Sequence, residues 1–439
     1  MSYKILRIAN INYAGAFDRL YAERPGLKEA CYQEQLEAIF SLGMIYSDAF
    51  SNGMRALGIE AEEIIADADI IQSQWAREHQ VETGKSPHSR ALTVMAQIKH
   101  YQPDVVYFQD VHGLPHKYRK RLKSECPSVR LTVLHKGYPG QFEEMGDFDL
   151  VCLSLPSLVD QYREKGIPAE LQYHGFNGAI PDMLANRGEA DPGERFDFTF
   201  IGSTGFGHGG GHRTRYWSLM RLFRDTPLVA FTDEVFSNTS SRKRRGEILA
   251  RSLPGWMLGL ARPVLRVLPK TGRVLAFSSQ VENERSYRAG RKSILEAIPD
   301  DSTVPFCPIR EFYPQRCLPP VYGLEMFAAL AASRVTFNLH ANATGVSIGN
   351  IRMFEATGMG ACLLTDSGPN VRELFEPDKE IVTYANMDEC VEKLTYLLEH
   401  PEVRNEVARA GQRRTLKDHT VQKRVENMDA LIRKRLAKI

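Results

Sequence analysis

The sequence lacks closely spaced cysteines and long apolar runs. Its seven cysteines stand at positions 31, 126, 152, 307, 317, 362 and 390, and no two have the Cys-x-x-Cys spacing of a zinc or redox motif. Their number is odd and several lie in apolar runs, so reduced, buried thiols in a cytoplasmic protein are expected. The first residues show no apolar signal core, and no apolar run reaches the roughly 20 residues that span a bilayer.

An excess of either charge is also missing. The 439 residues include 56 Lys and Arg and 54 Asp and Glu, which gives a net charge of +2. Because nucleic-acid-binding proteins usually carry a strong basic excess, no nucleic-acid partner is expected. The segment 242–273 is a local exception, with nine basic residues and one acid around an apolar stretch. It predicts peripheral contact with an anionic inner-membrane surface; the alternative is an insertion with a solvated basic rim.

Strand and helix signals alternate in two consecutive series. This pattern predicts an α/β fold with two Rossmann-like domains facing a central cleft. The first domain covers residues 1–180, and its signals include one long helix from Gln33 to Leu57. A stretch rich in Pro, Gly and charge follows. The second domain covers 195–420 and loses the alternation in an insertion at about 236–306.

The segment from Thr336 to Leu374 carries the most chemical information. Ser347, Gly349 and Asn350 precede a predicted helix, whose N-terminal N–H groups and dipole favour a diphosphate. Glu355 lies further along that helix, where a carboxylate can accept hydrogen bonds from both hydroxyls of a ribose. Ser367 and Gly368 open a second predicted helix N-terminus.

This segment resembles the C-terminal domain of the group 1 glycosyltransferases (family 4-like, GT-B fold). The resemblance is closest to the branch similar to the spore-maturation protein CgeB, and it runs from about Pro319 to about Arg424. The stretch Phe-Glu-Ala-Thr-Gly-Met-Gly-Ala-Cys-Leu-Leu-Thr-Asp, which begins at Phe354, is similar to the family's Leu-Glu-Ala-Met-Ala-Cys-Gly-x-Pro-Val-Ile. The family's pattern of a Glu, seven residues and a second Glu implies that Glu355 binds the ribose. Its first Glu falls on Ser347, so the choice of sugar is open.

The resemblance also implies positions for the donor diphosphate. In the family, the loop after the first strand of the second domain and a nearby basic residue hold it, which points to Gly202, Arg213 and Arg215. A guanidinium offsets the charge on the leaving diphosphate. Arg352 is a further candidate, with a helix-surface pair to Glu355 as its alternative. A C-terminal helix over 421–439 that crosses back to the first domain is the family's arrangement.

Polar residues follow several predicted strands of the first domain. Asp110, His112 and His135 stand at carboxyl ends of such strands, where ligands of parallel sheets bind, so they are the catalytic candidates. No metal site is predicted: His112 and His116 have helical ligand spacing, but Pro115 disfavours a helix across both.

Together these signals predict a glycosyltransferase. It moves a sugar from a nucleoside-diphosphate sugar to a glycan, glycolipid or protein acceptor, without a metal or another cofactor. By resemblance it retains the anomeric configuration and serves cell-surface polysaccharide or glycoconjugate synthesis. The sequence indicates no oligomeric state.

Three alternatives stay open. The glycines from Gly205 to Gly210, with Asp233 after the next strand, match the dinucleotide fingerprint of an NAD(P)-dependent oxidoreductase. A nucleotide-sugar epimerase of the same fold is the second alternative. A non-catalytic module that binds sugar nucleotides is the third, and the serine at position 347 supports it.

Overall fold

The computed structural model describes residues 2–11, 15–82, 88–139, 142–189, 193–206, 213–232, 307–340 and 345–439. The predicted insertion at 236–306, its basic segment 242–273, Asp233 and most of the fingerprint at Gly205–Gly210 lie outside these residues. None of the described helices is both long enough and apolar enough to cross a membrane.

Two six-stranded sheets, each with all strands parallel, form the core of the described chain. The first has the order β2-β1-β3-β4-β5-β6 and the second β12-β11-β10-β7-β8-β9. Most residues of these strands are buried, because helices cover both faces of each sheet. The predicted α/β architecture with two Rossmann-like sheets is confirmed. The strands are β1 Lys4–Ala9, β2 Glu60–Ile65, β3 Val105–Phe108, β4 Leu131–Lys136, β5 Leu150–Leu153, β6 Ala169–Leu171, β7 Phe196–Ile201, β8 Val229–Phe231, β9 Cys317–Leu318, β10 Ser333–Asn338, β11 Cys362–Asp366 and β12 Val382–Tyr384.

Helices connect the strands and pack on the sheets. In the first half they are Ala16–Glu23, Tyr32–Phe40, Ala49–Ala56, Asp69–Glu78, Ser89–Tyr101, His116–Arg119, Leu122–Glu125, Phe142–Met145, Pro156–Glu164 and Ile180–Ala185, with a 3-10 turn at Pro25–Glu29. In the second half they are Arg213–Asp225, Ile309–Phe312, Gly323–Ala331, Ile351–Gly358, Val371–Leu374, Met387–Glu399, Pro401–Asp418 and Val421–Leu436.

The single helix predicted from Gln33 to Leu57 is wrong. The structure has two helices there, and between them Gly43 and Tyr46 adopt positive φ angles of 65° and 58°. A right-handed helix cannot continue through such residues. The break brings the Leu42 carbonyl to the second domain, where it accepts a hydrogen bond from Leu324 N at 2.9 Å.

The last helix, Val421–Leu436, packs on the first sheet. Its buried face shares one apolar cluster with residues of β1, β3, β4 and β5. The Thr420 hydroxyl caps it by accepting a hydrogen bond from Lys423 N. The buried side chains recur at helical spacing, as expected for a helix that rests on a sheet: Val421, Val425, Met428, Ile432 and Leu436.

The chain passes between the domains at two adjacent places. Phe176 N donates to His419 O, and Val421 N donates to Phe176 O, both at 2.8 Å. A Cβ at position 175 would lie 2.9 Å from the Thr420 backbone, so only glycine allows this approach. The two crossings are therefore held together by one isolated parallel β-bridge between Phe176 and Thr420.

Candidate functional site

The carboxyl edges of the two sheets face each other across the domain boundary. Ser157, at the start of the helix Pro156–Glu164, donates its N–H to Ser347 Oγ at 3.3 Å. A Cβ at Gly349 would lie 3.1 Å from Ser154 O. The loop that precedes the helix Ile351–Gly358 therefore lies at the cleft, where open α/β sheets bind their ligands.

Two side chains form hydrogen bonds with the backbone of this loop. Asn370 makes a two-point contact with Ile348, accepting from its N–H at 2.9 Å and donating to its carbonyl at 2.8 Å. His340 Nε2 accepts the N–H groups of Gly349 and Asn350 at 3.0 and 3.3 Å. Those two N–H groups therefore point into the protein. The sequence pattern predicts instead a helix N-terminus whose N–H groups are open to a diphosphate.

Ser347 stands in the Gly-x-Ser-x-Gly spacing that nucleophilic serines of hydrolases share. Such a serine directly follows a strand, whereas β10 ends at Asn338, nine residues earlier. The Ser347 hydroxyl instead faces the Ser157 N–H of the first domain. Its place at the cleft fits ligand contact rather than a nucleophile elbow.

Glu355 is a buried carboxylate in the matching position of the helix. It is 5% exposed, and burial raises its pKa while Arg352 opposes that effect. Arg352 Nη1 lies 2.8 Å from Glu355 Oε2, at an angle that makes an ion pair rather than a well-formed hydrogen bond. Burial and, next, the Glu355 carboxylate raise the pKa of Tyr46, a residue of the first domain.

The candidate residues after β7 form hydrogen bonds with backbone carbonyls of the second domain. Gly202 donates its N–H to Phe231 O at 3.1 Å. Arg215 Nη2 donates to Leu339 O at 2.8 Å, and its Nη1 to Ser203 O at 3.4 Å. Arg215 thus ties the loop after β7 to the end of β10. Arg213 begins the helix Arg213–Asp225, and its side chain lies outside the described residues.

Ser367 and Gly368 precede a helix of four residues, Val371–Leu374. Ser367 is exposed. A Cβ at Gly368 would lie 2.7 Å from Val346 O, so glycine lets this turn pack against the loop above it. One turn of helix has little dipole, and the role of this position in the structure is close packing.

On the first domain, Asp110 shapes its own loop. Its Oδ1 accepts hydrogen bonds from Asn10 Nδ2 at 2.8 Å and from the N–H groups of His112 and Gly113 at 2.6 and 3.2 Å. The His112 residue is exposed at the same edge. Asp110 and His112 are therefore together at the end of β3.

His135 lies on the opposite face of the sheet. Its Nε2–H donates to Gln172 O at 3.0 Å, so its Nδ1 accepts from the Tyr107 hydroxyl at 2.8 Å. Burial lowers its pKa to about 4, which keeps the imidazole neutral. It lines a cavity under the C-terminal helix together with Arg7, Tyr46 and Arg424. The structure does not bring it together with Asp110 and His112.

Lys136, the next residue, is the functional candidate that sequence reasoning missed. It is 4% exposed, and burial lowers its pKa to about 8 although Asp110 and Glu144 oppose the shift. Its Nζ lies 3.7 Å from the centroid of the Tyr138 ring. Strand alternation was the available signal, because side chains at 135 and 136 must point to opposite faces.

Within the described part of the chain, no three His, Cys, Asp or Glu side chains are grouped as metal ligands. A metal-free reaction stays a prediction.

Comparison with known proteins gives two kinds of likeness. Residues 290–430 match the family described as glycosyl transferase-like. No curated protein matches. Among solved structures, sucrose-phosphate synthase from Thermosynechococcus elongatus is similar with a TM-score of 0.53 and 10% identity, covering 100% of both chains.

Two further structures are similar over nearly their whole length. HepE from Anabaena, in complex with UDP-glucose, has a TM-score of 0.51 and 11% identity, covering 98% of this chain and 100% of that one. AviGT4, a glycosyltransferase involved in avilamycin A biosynthesis, has a TM-score of 0.50 and 10% identity, covering 100% and 99%. At such identity these likenesses show the fold, which is that of the GT-B glycosyltransferases. The chain thus has a GT-B fold with a glycosyltransferase-like domain at 290–430, and this domain supports a transferase enzyme.

Proposed function

We propose that the protein transfers a sugar from a nucleoside-diphosphate sugar to a glycan, glycolipid or protein acceptor. The observation that carries this proposal is Glu355, a buried carboxylate behind a loop that faces the first domain across the cleft. Both Glu355 and the loop fall inside the glycosyltransferase-like segment 290–430.

A buried carboxylate suits a nucleoside. Two oxygens can accept hydrogen bonds from two vicinal ribose hydroxyls, and such bonds to an ionised group are roughly twice as strong as neutral ones. Arg352, 2.8 Å from Glu355, favours the ionised form. The bound nucleotide would give Glu355 hydrogen-bond partners, since its Oε2 has none among the described residues.

The choice of nucleotide, the stereochemistry and the pathway are finer proposals. The HepE structures hold UDP or UDP-glucose, which supports uridine as the first base to test. The likeness to a CgeB-like branch, retention of configuration, independence of metal, a cytoplasmic location and membrane contact through 242–273 all stand as parts of the proposal. The same proposal assigns Asp110, His112 and Lys136 of the first domain to the acceptor side.

A thermal-shift screen tests the donor site. The native protein, Glu355→Ala and the exposed control Glu392→Gln are each mixed with UDP, GDP, TDP, CMP and NAD. A ligand at about 100 times its Kd adds roughly 2.7 kcal/mol to stability. We expect one nucleoside diphosphate to stabilise the native and control proteins but not Glu355→Ala. Stabilisation by NAD alone, equal in all three proteins, would overturn the proposal in favour of a dehydrogenase.

A further inference from the structure

Lys136 is a buried cation without a counter-ion. The residue is 4% exposed, and lysines are almost never buried to this extent unless they are paired. Other basic side chains of this region follow that rule. Arg119 Nε lies 3.0 Å from Asp147 Oδ2. Lys123 Nζ lies 2.8 Å from Asp149 Oδ1. The Lys136 side chain forms no ion pair and no hydrogen bond with the described residues.

An aromatic ring is the contact described for this ammonium group. Lys136 Nζ lies 3.7 Å from the centroid of the Tyr138 ring, a distance at which the ring face attracts a cation. The ring offers no carboxylate or carbonyl oxygen, so the three N–H donors of the ammonium group still lack such an acceptor. The Tyr138 residue is itself 49% exposed. Unused donors and an open aromatic surface therefore lie side by side.

Two acids act on Lys136 without pairing with it. Burial lowers the pKa of Lys136 to about 8, and Asp110 and Glu144 oppose this effect only in part. Asp110 Oδ1 already accepts three hydrogen bonds within its own surroundings. The amine is still protonated at pH 7, since its pKa lies above that value. An added anion would supply the counter-charge that the folded chain does not.

Lys136 stands at the cleft, close to the second domain. It is the last residue of β4, and its carbonyl accepts a hydrogen bond from Ser154 N at 3.3 Å. Ser154 follows β5, and a Cβ at Gly349 would lie 3.1 Å from the Ser154 carbonyl oxygen. The end of β4 is therefore one strand away from a contact between the two domains.

The side chain of Lys136 takes the face of the sheet away from the C-terminal helix. Leu134 pairs with Phe108, and both pack in the apolar core on that face, whereas Val133 packs in the cluster under the C-terminal helix. Side chains alternate along a strand, so Lys136 shares the face of Leu134. It is therefore separate from the cavity that His135 lines.

We propose that Lys136 and Tyr138 bind an acidic group of the acceptor, so that the acceptor is a sugar that carries a carboxylate or a phosphate. This inference rests on the proposed function, which assigns the first domain to the acceptor. The ammonium group donates hydrogen bonds to the acid, and the exposed Tyr138 ring packs against the sugar. Hydrogen bonds between charged groups are roughly twice as strong as neutral ones, so an acidic acceptor is preferred over a neutral one of similar shape.

Ligand-observed NMR titrations test the inference in the presence of the nucleoside diphosphate that the thermal-shift screen identifies. The probes are methyl β-glucuronide, glucose 6-phosphate and the neutral methyl β-glucoside. We expect at least one acidic sugar to bind about tenfold more tightly than the neutral one, the range for a hydrogen bond to a charged group. The stronger of the two acidic sugars tells a carboxylate from a phosphate.

Two variants separate the contributions of the two side chains. Lys136→Met should remove the preference for the acidic sugar and leave binding of the nucleoside diphosphate unchanged in calorimetry. Tyr138→Ala, a change at a half-exposed position, should weaken the acidic and the neutral sugars together. The matched control is Lys117→Met, which removes an exposed lysine of the first domain and should keep the native preference.

Each contrary outcome has a separate meaning. Equal binding of acidic and neutral sugars by the native protein, or binding of none, would overturn the inference while the proposed function stands. Weaker binding of the nucleoside diphosphate in Lys136→Met would assign the lysine to the donor and also contradict the inference. If no nucleotide stabilises the protein in the thermal-shift screen, the proposed function itself fails.

Discussion

At the scale of single residues, Lys136 predicts a change of stability with pH. Its pKa falls from the ordinary 10.5 to about 8 in the folded protein. Between these values the unfolded chain holds a proton that the folded chain has released, so this residue makes the free energy of unfolding rise with pH. Lys136→Met should remove a rise of roughly 3 kcal/mol.

Urea denaturation between pH 7.5 and 10.5 measures this difference against the native protein. The control is Lys117→Met, an exposed lysine with a similar ring contact, its Nζ 4.8 Å from the Tyr118 centroid. It should leave the pH dependence as it is. A Lys136→Met curve parallel to the native one would show that Lys136 keeps an ordinary pKa.

Site residues that lie in one continuous sequence motif could be predicted from the sequence. Site residues that contact each other from the ends of two different strands could not. Glu355 follows from its place in one continuous stretch of sequence. His340 and Asp366 are 26 positions apart and meet because β10 and β11 are neighbours that end together. A lone His after a strand carries no sign of that pairing. His135 shows the converse error, since a position near a strand end does not say which face the side chain takes.

At the scale of elements, Gly323 lies where the second domain packs against the Leu42 carbonyl of the first. Its φ is +53°, and a Cβ there would lie 2.0 Å from the Leu42 carbonyl oxygen. Gly323→Ala should therefore cost about 1–2 kcal/mol for the backbone conformation and a further 1–3 kcal/mol for the overlap. Differential scanning calorimetry should show a clearly lower Tm.

Gly58→Ala separates these two costs. Gly58 has a φ of +78° and nothing within 4 Å of an added Cβ, so only the conformational cost applies. Equal losses for the two variants would mean that the Leu42 contact does not restrain the domains.

Most elements with strong hydrophobic periodicity form where the sequence predicts them. One predicted helix is interrupted at a place where the chain makes a tertiary contact. Parallel strands such as β3 and β5 are short continuous apolar runs, which the sequence shows directly. The helix expected from Gln33 to Leu57 has good helical spacing throughout. It ends before Gly43, whose positive φ a right-handed helix cannot continue through. The contact of the Leu42 carbonyl with Leu324, a residue 282 positions away, cannot be predicted from local spacing.

At the scale of the whole molecule, the last helix is part of the first domain's core. Ile432 is 0% exposed and packs in the cluster that covers the first sheet. Ile432→Ala should destabilise that sheet by about 2–5 kcal/mol. Hydrogen exchange followed by mass spectrometry should show faster exchange in β1, β3 and β4 than in β10 and β11.

Leu416→Ala is the matched control, since Leu416 is 46% exposed and such changes stay within about 0.5 kcal/mol. Uniformly faster exchange in both sheets of Ile432→Ala would show that the two domains unfold as one unit.

The placement of that helix has a consequence for biosynthesis. A nascent chain usually folds domain by domain as it leaves the ribosome, at roughly 5–20 residues per second. Here the first sheet emerges early, but the segment that covers one of its faces, Val421–Leu436, is translated after the whole second domain. At that speed, one apolar face of the sheet stays exposed to solvent for some tens of seconds. The growing chain therefore offers chaperones a binding surface that the finished protein buries.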